Sequence, residues 1–163
     1  MPFYDMNRAI TTNGSANTES THLWGKTVAN QETVQIVGIY AASRFATAGG
    51  GQIRLKDNTG STASGGTTTT SVVPKNRRAA PTVQSVWAND GTAITPGATL
   101  TVRLTVGFAQ TGGMGGYVPI VPGAAIQMMP NATTPVDVEF VSNAATASVT
   151  ADLTVDIAEG ISA

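Results

Sequence analysis

The chain has no cysteine and a single histidine, His22, among its 163 residues. The first absence excludes disulfides, thiolate nucleophiles and Cys-ligated metals. The second rules out the common iron or manganese site, which needs several histidines beside a carboxylate. Charge is scarce too. Only 12% of residues are Asp, Glu, Lys or Arg, with a net charge of −1, against about a quarter in an average domain. Sparse charge suggests either a surface partly covered by neighbours or Thr-rich strands that stay soluble alone. No apolar run approaches the roughly 20 residues of a membrane-crossing helix. Met1 to Ile10 is polar and mixed, unlike a secretory leader, so a non-membrane component is expected.

What the chain does have is period-two alternation. Leu100, Val102, Leu104, Val106 and Phe108 alternate with Thr101, Arg103 and Thr105. Val149, Ala151, Leu153, Val155 and Ile157 alternate with Thr150, Asp152, Thr154 and Asp156. Such patterns mark half-buried antiparallel strands. Thr33–Ala42 is almost wholly apolar, as in a central strand covered on both faces. Further strands are expected over 52–57, 82–87, 117–121, 124–129 and 136–141. The Ser/Thr/Gly tract over 61–70 leads either to a loose loop or, over 67–73, to an edge strand. Asn89-Asp90-Gly91 is the strongest hairpin signal, and Gly112 to Gly116 reads as a loop. About nine short strands without a convincing helix signify an all-β, antiparallel two-sheet sandwich or a barrel. Residues 1–32, polar and without a sustained period, read as an extended N-terminal arm before a domain over 33–163. The arm carries Phe3, Tyr4, Leu23 and Trp24, which are expected to dock on a neighbouring subunit. Removing residues 1–24 is expected to leave the sandwich folded.

Motifs for chemistry are weak. Gly25-Lys26-Thr27 lacks the glycine five residues earlier that a phosphate loop requires, since Ser20 stands there. Asp152 and Asp156 lie about 13 Å apart along a strand, too far to share one calcium ion. No catalytic residue, cofactor or metal ligand is nominated, and an enzyme is not expected. All nine Lys and Arg lie at or before Arg103, and beyond it only Asp137, Glu139, Asp152, Asp156 and Glu159 are charged. Four of those five fall on outward strand positions. That segregation suggests either two solvated faces or an acidic face of one subunit meeting the basic stretch Lys75, Arg77 and Arg78 of the next. Nucleic-acid binding would need a larger positive balance and interleaved aromatics.

The polar N-terminal segment, the apolar strand Val34-Gln35-Ile36-Val37-Gly38-Ile39 and the Gly-rich and Thr-rich loops form a recognisable layout. So do the Val118-Pro119-Ile120-Val121-Pro122-Gly123 turn and the alternating terminal strand. Over roughly 33–159 this layout resembles the jelly-roll decoration, or cement, proteins of tailed-bacteriophage capsids. The resemblance implies a jelly-roll-like sandwich that binds the outer capsid surface as a homotrimer and bridges major capsid proteins. It also implies a protein made in the host cytoplasm and carried on the virion exterior. Contacts are expected, on chemistry alone, at Phe3, Tyr4, Trp24, Lys75, Arg77, Arg78, Asp152 and Asp156. The alternative is a glycan- or receptor-binding module of a head fibre or tail fibre.

Overall fold

The computed structural model describes residues 2–13, 15, 18–28, 33–44, 50–58, 61–68, 72–75, 83–98, 100–109, 113–119, 125–128, 137–144 and 148–161. These residues form twelve strands and no helix. In chain order they are β1 (Phe3–Thr11), β2 (Ser20–Lys26), β3 (Thr33–Ser43), β4 (Gly51–Asn58), β5 (Ser64–Thr68) and β6 (Val73–Pro74). Then follow β7 (Val86–Thr95), β8 (Leu100–Phe108), β9 (Met114–Tyr117), β10 (Ile126–Met128), β11 (Asp137–Ala144) and β12 (Thr150–Ile161).

Two antiparallel sheets pack face to face. The first runs β10-β3-β12-β1-β6, with β9 also on β3, and the second runs β5-β7-β2-β11-β4-β8. Strands β1 to β4 fall alternately in the two sheets, and β11 and β12 insert between them, so the winding is jelly-roll-like. The excursion between β4 and β8 adds β5 and β7 beyond β2, and β6 beyond β1. The core fills with the inward residues of both sheets, including Tyr4, Ile10, Ile36, Ile39, Leu55, Trp87, Phe140, Leu153 and Ile157. Each such side chain contributes about 1.5–3 kcal/mol through burial. Trp87 and Phe140 meet as a tilted ring pair with centroids 6.4 Å apart.

Phe3–Thr11 and Ser20–Lys26, expected in an arm, are strands of the two sheets. Strand β1 pairs with β12 over its whole length, from Phe3↔Ala158 to Thr11↔Thr150, and β2 lies between β7 and β11. The physical reason is that β1 does alternate: Tyr4, Met6 and Ile10 are buried in the core. The position that breaks its apolar face is Arg8, which is half-buried and pairs with Asp90 of β7.

Three other segments depart from expectation. Asn89-Asp90-Gly91 makes no hairpin but lies inside β7. Thr67 faces Asn89 while Gly65 faces Ile94, so the turn residues form a bulge in a continuing strand. The glycine-rich stretch before Tyr117 is strand β9, paired to β3. A Cβ on Gly115 would collide with the backbone carbonyl of Gly107, so the glycine serves close approach of β9 to β8. Finally, β8 carries a bulge at Arg103: Leu55 faces Leu104, yet Lys56 faces Val102. A one-residue slip exchanges the faces of a strand. Val106 and Phe108 therefore join the core, while Val102 is left 45% exposed.

Candidate functional site: buried polar ties and open edges

His22 occupies the β2 bulge, where Leu23 faces Phe140 but Thr21 faces Val141. The extra residue turns the imidazole towards Ser142 of β11 and Asp90 of the β7 bulge. Its Nε2 lies 2.7 Å from Ser142 Oγ, and its Nδ1 lies 2.5 Å from Asp90 Oδ2. Ionised Asp90 can only accept, so Nδ1–H donates to it, while Nε2 and the Ser142 hydroxyl share the second hydrogen bond. The other Asp90 oxygen accepts from Arg8, at 2.8 Å from Nε and with an Nη2 contact at 2.7 Å. Arg8 belongs to the first sheet and the other three to the second, so the four residues tie the layers together.

The order Ser, His, Asp matches that of a hydrolytic triad. Its setting does not, because Ser142 is 0% exposed and a nucleophile must reach substrate. In this conformation the relay satisfies buried polar groups. Sequence reasoning found His22 but missed its partners, since Asp90 was absorbed into a turn signal and Ser142 into an otherwise apolar strand.

Burial pushes the Asp90 carboxyl up, but hydrogen bonds from His22 and Arg8 and their charges outweigh it and hold it below the usual carboxylate range. A depressed carboxyl favours the folded state above its unfolded pKa, about 3.9, and that contribution is lost as pH falls through the folded value. Asp90→Asn is therefore expected to lower stability at neutral pH by about 1–3 kcal/mol and to lose less on acidification. Chemical denaturation between pH 3 and pH 7 checks this. Equal acid sensitivity in both proteins would contradict the assignment.

Three further carboxylates are buried rather than solvated. Glu159, at the other end of the core, accepts from the backbone N–H of Gln84 at 2.8 Å and of Ser85 at 3.0 Å. It thereby joins β12 of the first sheet to the start of β7 in the second. Asp137 and Glu139 were expected on an outward face, but the β4–β8 excursion folds back over it. Asp137 accepts from Ala63 N–H at 3.1 Å and from the Asn58 amide at 3.0 Å. Glu139 accepts from Gly97 N–H at 2.6 Å and from the Thr21 hydroxyl at 3.1 Å. Burial pushes both carboxyls above their usual range despite these donors. Their effect on stability is opposite in sign to that of Asp90, weakening as pH rises through the raised values.

Of the expected contact residues, Tyr4 is core and Trp24 packs with Ala63 and Ala88. The Trp24 indole N–H donates to Gly65 O at 3.1 Å. Its docking partner is thus the β5–β7 excursion of the same chain. Lys75 Nζ contacts Asp156 at 2.6 Å, because β6 pairs with β1 and Lys75 follows directly after it. Lys75 and Asp156 therefore pair within one chain. Directly opposite Asp156 stands Asp5, whose buried Oδ1 has no hydrogen-bond partner. Lys75 offsets that like-charge pair. Asp152 is held by Arg44, with Nε 2.9 Å from both oxygens. Arg77 and Arg78 lie outside the described residues. Only Phe3, 41% exposed on the outer side of β1, remains open among the apolar candidates, near exposed Val73. Among the described residues no group of three or more His, Asp or Glu side chains gathers where a metal ion could sit.

Strand β8 is the longer of the two open edges of the second sheet. Among the described residues it pairs on one side only, with β4, and Thr101, Val102, Arg103, Thr105 and Gly107 are exposed. Long strand edges invite pairing, and natural sequences blunt them with lysine, proline or bulges. Here the Arg103 bulge, with its guanidinium paired to Asp57, is the one such device within β8. Comparison with protein-family models, with curated proteins and with solved structures finds no match.

Proposed function

We propose that this chain is a virion structural protein that binds the outer surface of a capsid. It stabilises the shell by bridging major capsid proteins and acts there as a homotrimer. The observation that carries the reading is β8, a nine-residue edge strand with exposed apolar and β-branched side chains and little to keep a partner away. Low total charge and the layout shared with cement proteins support it. A ligand that binds only the assembled shell shifts assembly in its favour by mass action. Such a role requires complementary surface and no reacting group, and the protein would be made in the host cytoplasm and carried on the virion exterior.

The test uses Val102→Glu and Thr105→Glu, both at exposed positions and opposite Lys56 and Arg54. Each is expected to change unfolding stability by no more than about 0.5 kcal/mol. Self-association, read by analytical ultracentrifugation, and binding to shells stripped of the protein should both fall at least about tenfold, a loss near 1.4 kcal/mol. Variants that fold and bind like the parent would remove β8 from the assembly surface.

A further inference from the structure

Where β4 and β9 begin and β8 and β11 end, a groove of about 620 Å³ opens. Its volume lies within the range of small-molecule sites, about 300–1,000 Å³. The floor is shaped by missing side chains. Gly51 faces Phe108 across the β4–β8 ladder, and a Cβ on Gly51 would run into the Phe108 ring. A Cβ on Gly107 would meet nothing within 4 Å, because that position faces open space beside the groove.

Among the described residues the rim is polar and its one charge is Arg54, which pairs with Glu19, a carboxylate shared with Lys56. Gln52 and Asn143 are register partners across β4 and β11, so two amides stand side by side, each with a donor end and an acceptor end. Arg54 Nη1 donates to Glu19 at 2.9 Å, and Arg54 Nη2 donates to Gln52 Oε1 at 3.4 Å. The Gln52 oxygen thus already accepts from Arg54. Among the described residues no carboxylate lines the groove. Met114, 74% exposed, adds an apolar edge.

Paired amides suit vicinal hydroxyls, an apolar edge suits the C–H face of a pyranose, and a compensated arginine gives a free anion little advantage. We propose that this groove, at the C-terminal end of β8, is a saccharide-binding subsite. The protein would thereby hold a neutral sugar at one end of the sandwich while the stretch of β8 from Thr101 to Thr105 makes the assembly contacts.

The experiment titrates the ¹⁵N-labelled full chain with glucose, galactose, mannose or N-acetylglucosamine and records amide shifts. At least one sugar should give saturable shifts confined to Gly51, Gln52, Gly107 and Met114 and to the side-chain amides of Gln52 and Asn143. Gly107→Leu fills the groove from a position with room for its Cβ, and should weaken binding at least tenfold with the rest of the spectrum unchanged. Gln52→Ala, at an exposed site, should do the same. Absence of saturable shifts with all four sugars would overturn the proposal, as would binding that survives Gly107→Leu. Stronger shifts with acetate or sulfate than with any sugar would overturn the neutral-ligand assignment. The isolated chain suffices for this titration, so failure here is distinguishable from failure of the capsid reading.

Discussion

A chain lacking residues 1–24 is expected not to fold. The deletion removes all of β1, and with it Tyr4, Met6 and Ile10 from the core. Loss of a large buried side chain costs roughly 2–5 kcal/mol, so these three alone approach the whole stability of a domain, about 5–15 kcal/mol. The deletion also exposes the β12 edge that β1 covers from Phe3↔Ala158 to Thr11↔Thr150, and it cuts away most of β2. His22 and Arg8 leave together, so Asp90 loses both partners. Circular dichroism and a melting curve on the purified truncation decide the matter. A cooperative transition near that of the full chain would show that β1 and β2 are dispensable, as a detachable arm would be.

The second large effect is expected at Gly25. This residue faces Trp87 across β2 and β7, and an added Cβ would fall inside the van der Waals envelope of the indole ring. Trp87 cannot simply yield. It is 2% exposed, packs on Phe140, and donates its indole N–H to Ser85 Oγ at 2.7 Å. Ser85 in turn holds Glu159, so displacing the ring disturbs the tie between the sheets. Overpacking of this kind costs about 1–3 kcal/mol, or roughly 2–12 °C in melting temperature for a domain of this size. Gly25→Ala should therefore lower the melting temperature, and Gly25→Val should lower it further. Trp87→Leu in the Gly25→Ala background should cost less than it does alone, because the two changes share one space. Strict additivity, or an unchanged melting temperature in Gly25→Ala, would contradict the packing described.

The sandwich itself was legible because its best strands obey one simple rule. Strand β3 reads as a buried central strand and is one. The alternation of β12 places Leu153, Val155 and Ile157 in the core. The first two strands were illegible for a physical reason: each puts a polar side chain where a core residue belongs. Arg8 interrupts the apolar face of β1, and the His22 bulge shifts the period of β2. Both irregularities exist to build the inter-sheet relay, so the feature that hid the strands is also their reason. Glycine misled in a similar way. At Gly115 it permits close backbone approach, and at Gly25 it accommodates an indole ring, whereas the sequence offers only its association with turns. The Arg103 bulge was invisible because strict alternation over 100–108 suggests one continuous face. Contact residues were the least legible, since an aromatic or a lysine declares its chemistry but not which neighbour satisfies it. Trp24, Lys75 and Asp156 all find partners within the chain.

The proposed place of this sandwich on a viral shell is tested by its copy number per purified particle relative to the major capsid protein. The account predicts a ratio near one or a simple fraction such as one-third. A handful of copies would place the chain on a fibre or tail, and its absence from the particle would contradict the account.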